Sequence, residues 1–93
     1  MTVLQFDGVI HRHVKQNAGE VESLVRRGLD AASGKASGKT GACDLIEAHK
    51  WFNLAAMRGS TQAVRYRREV SQEMSYTEIA EAQRAARDWL SLH

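Results

Sequence analysis

Residues 44–59 read Asp44-Leu45-Ile46-Glu47-Ala48-His49-Lys50-Trp51-Phe52-Asn53-Leu54-Ala55-Ala56-Met57-Arg58-Gly59, and their spacing decides the fold. Leu45, Ala48, Trp51, Phe52, Ala55 and Ala56 recur at intervals of three and four, which gathers them into one wide apolar stripe on an α-helix. Asp44 is placed as an N-cap with Glu47 three positions on, the pattern of a capping box that satisfies two of the open N–H groups at a helix start. Gly59 stands where a left-handed residue can end the helix.

The same grammar continues downstream. Ser60 or Thr61 caps a following helix whose inward positions are Ala63, Tyr66, Val70 and Met74. Ser75 with Glu78 forms another capping box, opening a last helix that buries Ile79, Ala82, Ala86, Trp89 and Leu90. Upstream, Ser33 to Gly41 is small, polar and glycine-rich, hence a flexible loop. Before it Val21, Leu24, Val25 and Leu29 mark one face of a helix that starts at an Asn17/Glu20 box and ends ahead of Ser33.

Residues 1–16 are read as a separate arm. Val3, Leu4 and Phe6 precede Asp7-Gly8, with Val9, Ile10 and Val14 after it. An Asp-Gly pair suits a type I′ turn, so the segment reads as a short β-hairpin or extended arm, with a degraded helix as the competing reading. The expectation is therefore a mainly α chain: an arm over 1–16, then a domain over 17–93 of about four helices. The alanines let helix axes approach closely while Trp51 and Trp89 fill the wedge between antiparallel pairs, giving a short α/α solenoid of stacked helix pairs.

Ninety-three residues, 43% hydrophobic and without proline, suffice for one small domain. Such a chain buries only roughly 60–65% of its unfolded surface, which leaves little room for a deep catalytic cleft. Thirteen Lys plus Arg against eleven Asp plus Glu is too near balance to imply nucleic acid or a membrane as partner. Cys43 stands alone, so it forms neither an internal disulfide nor a metal cluster and reads as an inert loop thiol in a reducing compartment. The opening MTVLQFDGVIHRH is interrupted by charges too early for a signal peptide, and no run of about 18 apolar residues follows. These features point to a cytoplasmic protein.

A shift of 38 places lays Ala48-His49-Lys50-Trp51-Phe52 on Ala86-Arg87-Asp88-Trp89-Leu90, the same A-x-x-W-apolar signature twice. A shift near 40 sets Gly59, Ala63 and Val64 over Gly19, Ser23 and Leu24. Periods of this size mark helical repeats. Over roughly residues 17–90 the chain resembles the Sel-one-like repeat family, a branch of the tetratricopeptide-like α/α repeats. Gly19 to Leu24 with Gly28 and Gly34 is similar to the second helix of one repeat, and Asp44 to Ala56 to the first helix of the next. Ile79 to Trp89 is similar to the closing helix. Ser23, Arg27 and Ala31 depart from the family's alanine, apolar and aromatic positions, which leaves about one full repeat with flanks. The resemblance implies that Ala48, Trp51, Phe52, Ala55, Ala56, Gly59, Ala63, Ala82, Ala86 and Trp89 are structural repeat positions. It also implies a non-catalytic adaptor or scaffold that binds a protein partner.

Other patterns carry less chemistry. Gly38-Lys39-Thr40 matches the end of a phosphate-binding loop, but the first glycine of that motif falls at Ser33 and a helix precedes it, so a connecting loop is expected. His11 and His13 could share one face of a strand, yet no third metal ligand is near. His49 reads as a solvent-facing residue between two core positions, and His93 carries no signal. No catalytic residue, metal ligand set or cofactor is indicated. Arg58, Arg65, Arg67 and Arg68, with Arg84 and Arg87, form a basic stripe. Glu69, Glu73, Glu78 and Glu81 are interleaved with it at spacings that favour mutual i,i+4 neutralisation. From this stripe Arg58, Arg65, Arg68 and Arg84, together with Tyr66, are the candidate partner-binding residues. The alternatives to an adaptor are a homodimer that self-associates through its ends and a nucleic-acid-binding protein that uses the arginines.

Overall fold

Asp44 caps its helix as expected: its Oδ1 accepts the Glu47 N–H at 3.0 Å and starts α2, Leu45–Met57. The computed structural model describes residues 19–34 and 43–93. The arm over 1–16, Asn17, His11, His13 and Gly38-Lys39-Thr40 lie outside the described residues. Four helices appear: α1 over 19–33, α2, α3 (Thr61–Ser71) and α4 (Tyr76–Leu92), a mainly α bundle with no strand among the described residues.

The Asp44 capping box closes on one side only. The Asp44 N–H, which Glu47 was expected to satisfy, instead donates to the Ala31 carbonyl at 2.9 Å, tying the end of α1 to the start of α2. Glu47 is thereby freed to accept the Trp51 indole N–H at 3.1 Å and to pair with Lys50 at 2.9 Å. At the other end of α2 the turn is a Schellman motif. Gly59, at φ +101°, donates to Ala56 O at 3.0 Å, and Ser60 donates to Ala55 O at 3.1 Å. Ser60, not Thr61, then caps α3, its hydroxyl accepting the Ala63 N–H at 3.0 Å. So tight a connection folds α3 back antiparallel to α2. The Ser75/Glu78 box closes on both sides, at 3.1 and 2.8 Å.

α1 runs through Ser33 rather than stopping before it. The Ser33 hydroxyl donates to the Asp30 carbonyl at 3.1 Å and so stays within the last turn, and Gly34 at φ +84° ends the helix.

α2 is the hub. α3 and α4 both lie against it, and α1 crosses it antiparallel, with Ala31 at Asp44, Gly28 on Phe52, and Glu20 opposite Arg58. Ala48, Ala55, Ala63, Ala82 and Ala86 are fully covered, as expected of small residues at helix contacts. Leu24, Val25, Ala31, Phe52, Leu54 and Val70 fill the core around them.

One residue off the expected stripe joins the core, and two residues expected in the core leave it. Leu54, off the stripe, is buried because α2 is packed on more than one side. Leu29 is 41% exposed because α1 meets α2 through Leu24, Gly28 and Ala31, at i, i+4 and i+7, which turns Leu29 outward. Leu90 is 37% exposed because α4 faces inward through Ala82, Ala86 and Trp89.

Candidate functional site

The two A-x-x-W signatures meet in space. Trp51 and Trp89 touch edge to face, ring centroids 5.9 Å apart and planes at 80°, an arrangement favoured by the aromatic quadrupole. Neither indole is fully buried, and cations cover what the core leaves open. The Lys50 ammonium lies 4.1 Å and the Arg27 guanidinium 4.9 Å from the Trp51 ring centre; Arg58 lies 5.5 Å from that of Trp89. The His93 ring stacks on Trp89 at 4.3 Å, with an interplanar angle of 11°. Each cation above an indole face is worth about 0.5–1 kcal/mol at such half-exposed positions.

Beside this stack runs a groove of about 360 Å³. One wall is a single stripe of α1: Glu20, Ser23, Leu24 and Arg27, at i, i+3, i+4 and i+7. Arg58 at the α2–α3 turn, and Trp89 and His93 from the last turn of α4, make the other. An ion pair between Arg58 Nη1 and Glu20 Oε1, 2.8 Å long, spans the walls; the two side chains are 30% and 49% exposed. The charged side chains of the lining are Arg27, Arg58 and Glu20, and Leu24 is an apolar part of the α1 wall.

Of the residues expected to bind a partner, only Arg58 lines this groove. Tyr66 packs against Phe52, ring centroids 5.2 Å apart, and its hydroxyl accepts from Gln62 Nε2 at 3.1 Å. Arg65 and Arg68 are exposed on α3, and Arg84 and Arg87 on α4. Arg67 turns inward and donates to Asn53 Oδ1 at 2.6 Å. The expected neutralisation is absent. Among the described residues no arginine of α3 or α4 lies within ion-pair distance of Glu69, Glu73, Glu78 or Glu81; the ion pairs are Lys50–Glu47 and Arg58–Glu20. Exposed pairs of long side chains are worth only about 0–1 kcal/mol, too little to hold each of them in one geometry.

His49 corrects another expectation. It is 4% exposed, not solvent-facing, and its Nδ1 has no hydrogen-bond partner. Burial, and secondarily the Arg67 charge, hold its pKa below 6.5, so the imidazole is neutral in the folded chain at neutral pH. It belongs to the α2–α3 contact, not to the groove.

Glu20, Ser23, Arg27 and His93 were not anticipated as groove residues. The 20-23-24-27 spacing is a helical stripe legible in sequence, but it mixes charged, polar and apolar groups and so lacks the contrast that marks a face. Cys43 is exposed just ahead of α2. Among the described residues no group of three or more His, Cys, Asp or Glu could hold a metal ion, and no helix is long and apolar enough to cross a membrane. Comparison of the chain with protein-family models, curated proteins and solved structures finds no match.

Proposed function

We propose that the chain is a small, non-catalytic protein-interaction module of the Sel-one-like type, and that its contact surface is the groove between α1 and the end of α4. The carrying observation is the convergence of Arg27, Arg58 and Trp89 on one open groove. Arginine and tryptophan are the residue types that dominate binding energy at protein interfaces. The repeat reading is supported by the alanine and tryptophan of its two signatures, though their last positions differ, Phe52 being buried and Leu90 37% exposed. Ala48 and Ala86 are both fully covered, Trp51 touches Trp89, and the α2–α3 hairpin is followed by a helix that returns to α2. On this reading α2 and α3 are one full repeat, with α1 and α4 as its flanking halves.

Affinity capture with the tagged full chain, an Arg27→Ala/Arg58→Ala variant and an Arg65→Ala/Arg68→Ala variant tests the assignment. A stoichiometric protein is expected with the wild type and the α3 variant, and is lost with the groove variant. Loss only with the α3 variant, or recovery of nucleic acid alone with affinity falling steeply in salt, overturns it.

A further inference from the structure

We infer that the partner segment seated in the groove is an acidic peptide in extended conformation, carrying two carboxylates three residues apart with an apolar side chain between them. This rests on the groove being the interaction surface and names the chemistry that it takes.

The charges of the lining do not balance, since Arg27 and Arg58 stand against Glu20 alone. Arg27 is exposed, and among the described residues no carboxylate lies within ion-pair distance of it. Its guanidinium is nevertheless placed, 4.9 Å from the Trp51 ring centre, by a contact that attracts the cation without supplying an acceptor oxygen for its N–H groups. Arg58 is placed in the same way over Trp89, at 5.5 Å. A side chain positioned beforehand loses less freedom when a partner arrives. Guanidinium groups so held match carboxylates, with which they form paired, charge-assisted hydrogen bonds.

The spacing sets the pattern of the peptide. Arg58 is tied to Glu20, and Glu20 lies seven residues from Arg27 on α1, about 10 Å at 1.5 Å per residue. An extended chain with three residues per turn and a rise of about 3.1 Å returns to the same side about 9 Å further on, at i and i+3. Between the arginines the indoles touch, with ring centroids 5.9 Å apart, and Trp89 lines the groove. The side chain between the two carboxylates is therefore apolar. About 360 Å³ seats a few side chains but not a helix 10–12 Å across.

Glu20 holds the place of one of these carboxylates. Its bond to Arg58, at 2.8 Å, is half-exposed and readily exchanged. An incoming carboxylate takes Arg58 and returns Glu20 to water.

Selection of a random-peptide library on the immobilised full chain, followed by fluorescence anisotropy with the enriched peptides, tests this. Enriched sequences are expected to carry Asp or Glu at i and i+3 with an apolar residue between. Changing either carboxylate to its amide, or introducing Arg27→Ala or Arg58→Ala in the chain, weakens binding about tenfold or more, whereas Arg65→Ala/Arg68→Ala does not. Glu20→Gln binds several-fold tighter, a gain that a misfolded variant would not produce. A neutral or basic consensus, no enrichment over an Arg27→Ala/Arg58→Ala bait, loss with the α3 variant, or a Glu20→Gln variant that binds no better overturns the proposal. So does a peptide of residues 1–16 that outcompetes every acidic one, or a mass that rises with concentration in the wild type but not in Arg27→Ala/Arg58→Ala. In those two cases the occupant is the chain's own N-terminal segment or a second copy. Groove-dependent capture of a protein without an acidic consensus leaves the interaction module standing and removes only the acidic segment as its occupant.

Discussion

Replacing Gly28 by alanine separates this architecture from a looser one. A methyl group added there lies 2.4 Å from Cε1 and 2.5 Å from Cδ1 of Phe52, where non-bonded carbons rest about 3.5–4.0 Å apart. The ring has nowhere to withdraw, since Phe52 is 1% exposed and is backed by Tyr66 at 5.2 Å. On an open helix surface the same change would stabilise by about 1 kcal/mol through helix propensity. Overpacking a filled core costs about 1–3 kcal/mol, and a shortfall of more than an ångström against two ring carbons belongs at the upper end. The net expectation is a loss of about 1–2 kcal/mol. At about 4–8 °C per kcal/mol for a domain of this size, Tm falls by roughly 5–15 °C. Thermal and urea melts followed by far-UV circular dichroism measure it. A cycle with Phe52→Leu locates the cause: in that background Gly28→Ala should cost at least about 1 kcal/mol less. A Gly28→Ala variant as stable as wild type, or strict additivity in the cycle, would show that α1 does not rest on Phe52.

Two further outcomes probe the turn and the buried imidazole. Gly59→Ala should cost about 1–2 kcal/mol because φ +101° is strained for any side chain, whereas Gly19→Ala, with open space around it, should be neutral or slightly stabilising; paired urea melts read both. His49 has a folded pKa below its unfolded value of about 6.5, so below that value the unfolded chain binds more protons and stability drops as pH falls from 6.5 toward the folded pKa. Urea midpoints between about pH 8 and pH 5 should fall more in wild type than in His49→Leu, with Arg67→Met in between because it removes the lesser of the two causes.

What was legible in the sequence was chemistry that acts within one turn of helix. The Asp44 and Ser75 caps, and Ser60 as one of two candidates, each depend on a side chain and a backbone group three residues apart, and the Gly59 stop on its own positive φ and the backbone of the last turn. The alanines of the two A-x-x-W signatures were legible as core positions too, and Ala48 and Ala86 are both covered. What depended on a second helix was not. His49 and Leu54 look peripheral on α2 taken alone and are buried because more than one neighbour covers it. The half-closed box at Asp44 depends on the Ala31 carbonyl arriving from α1, and no local pattern encodes that donor's diversion. Reading the arginines against the glutamates gave a neutralised face, yet these side chains pair in solvent too weakly to hold one geometry. Arg67 turns inward to Asn53, and the other cations that have partners sit on the indoles and across the groove.

The seat of α1 joins stability to recognition. Glu20 lies eight residues from Gly28 along the helix, about 12 Å at 1.5 Å per residue. A tilt of about 10° about the Gly28–Phe52 contact would move Glu20 by about 2 Å, enough to carry a 2.8 Å ion pair beyond contact with Arg58. Arg27 is adjacent to the pivot and would keep its place over Trp51. One vacancy the size of a methyl group therefore sets the width of the groove at the Glu20 end while leaving the Arg27 end fixed. The absence of a side chain at residue 28 does more than relieve a clash: it lets the α1 wall come close enough for its own carboxylate to hold the site. A helix held farther out would still bury Leu24 in part but would leave Arg58 without its internal partner, so the close packing of α1 on Phe52 and the masking of Arg58 are one geometric fact.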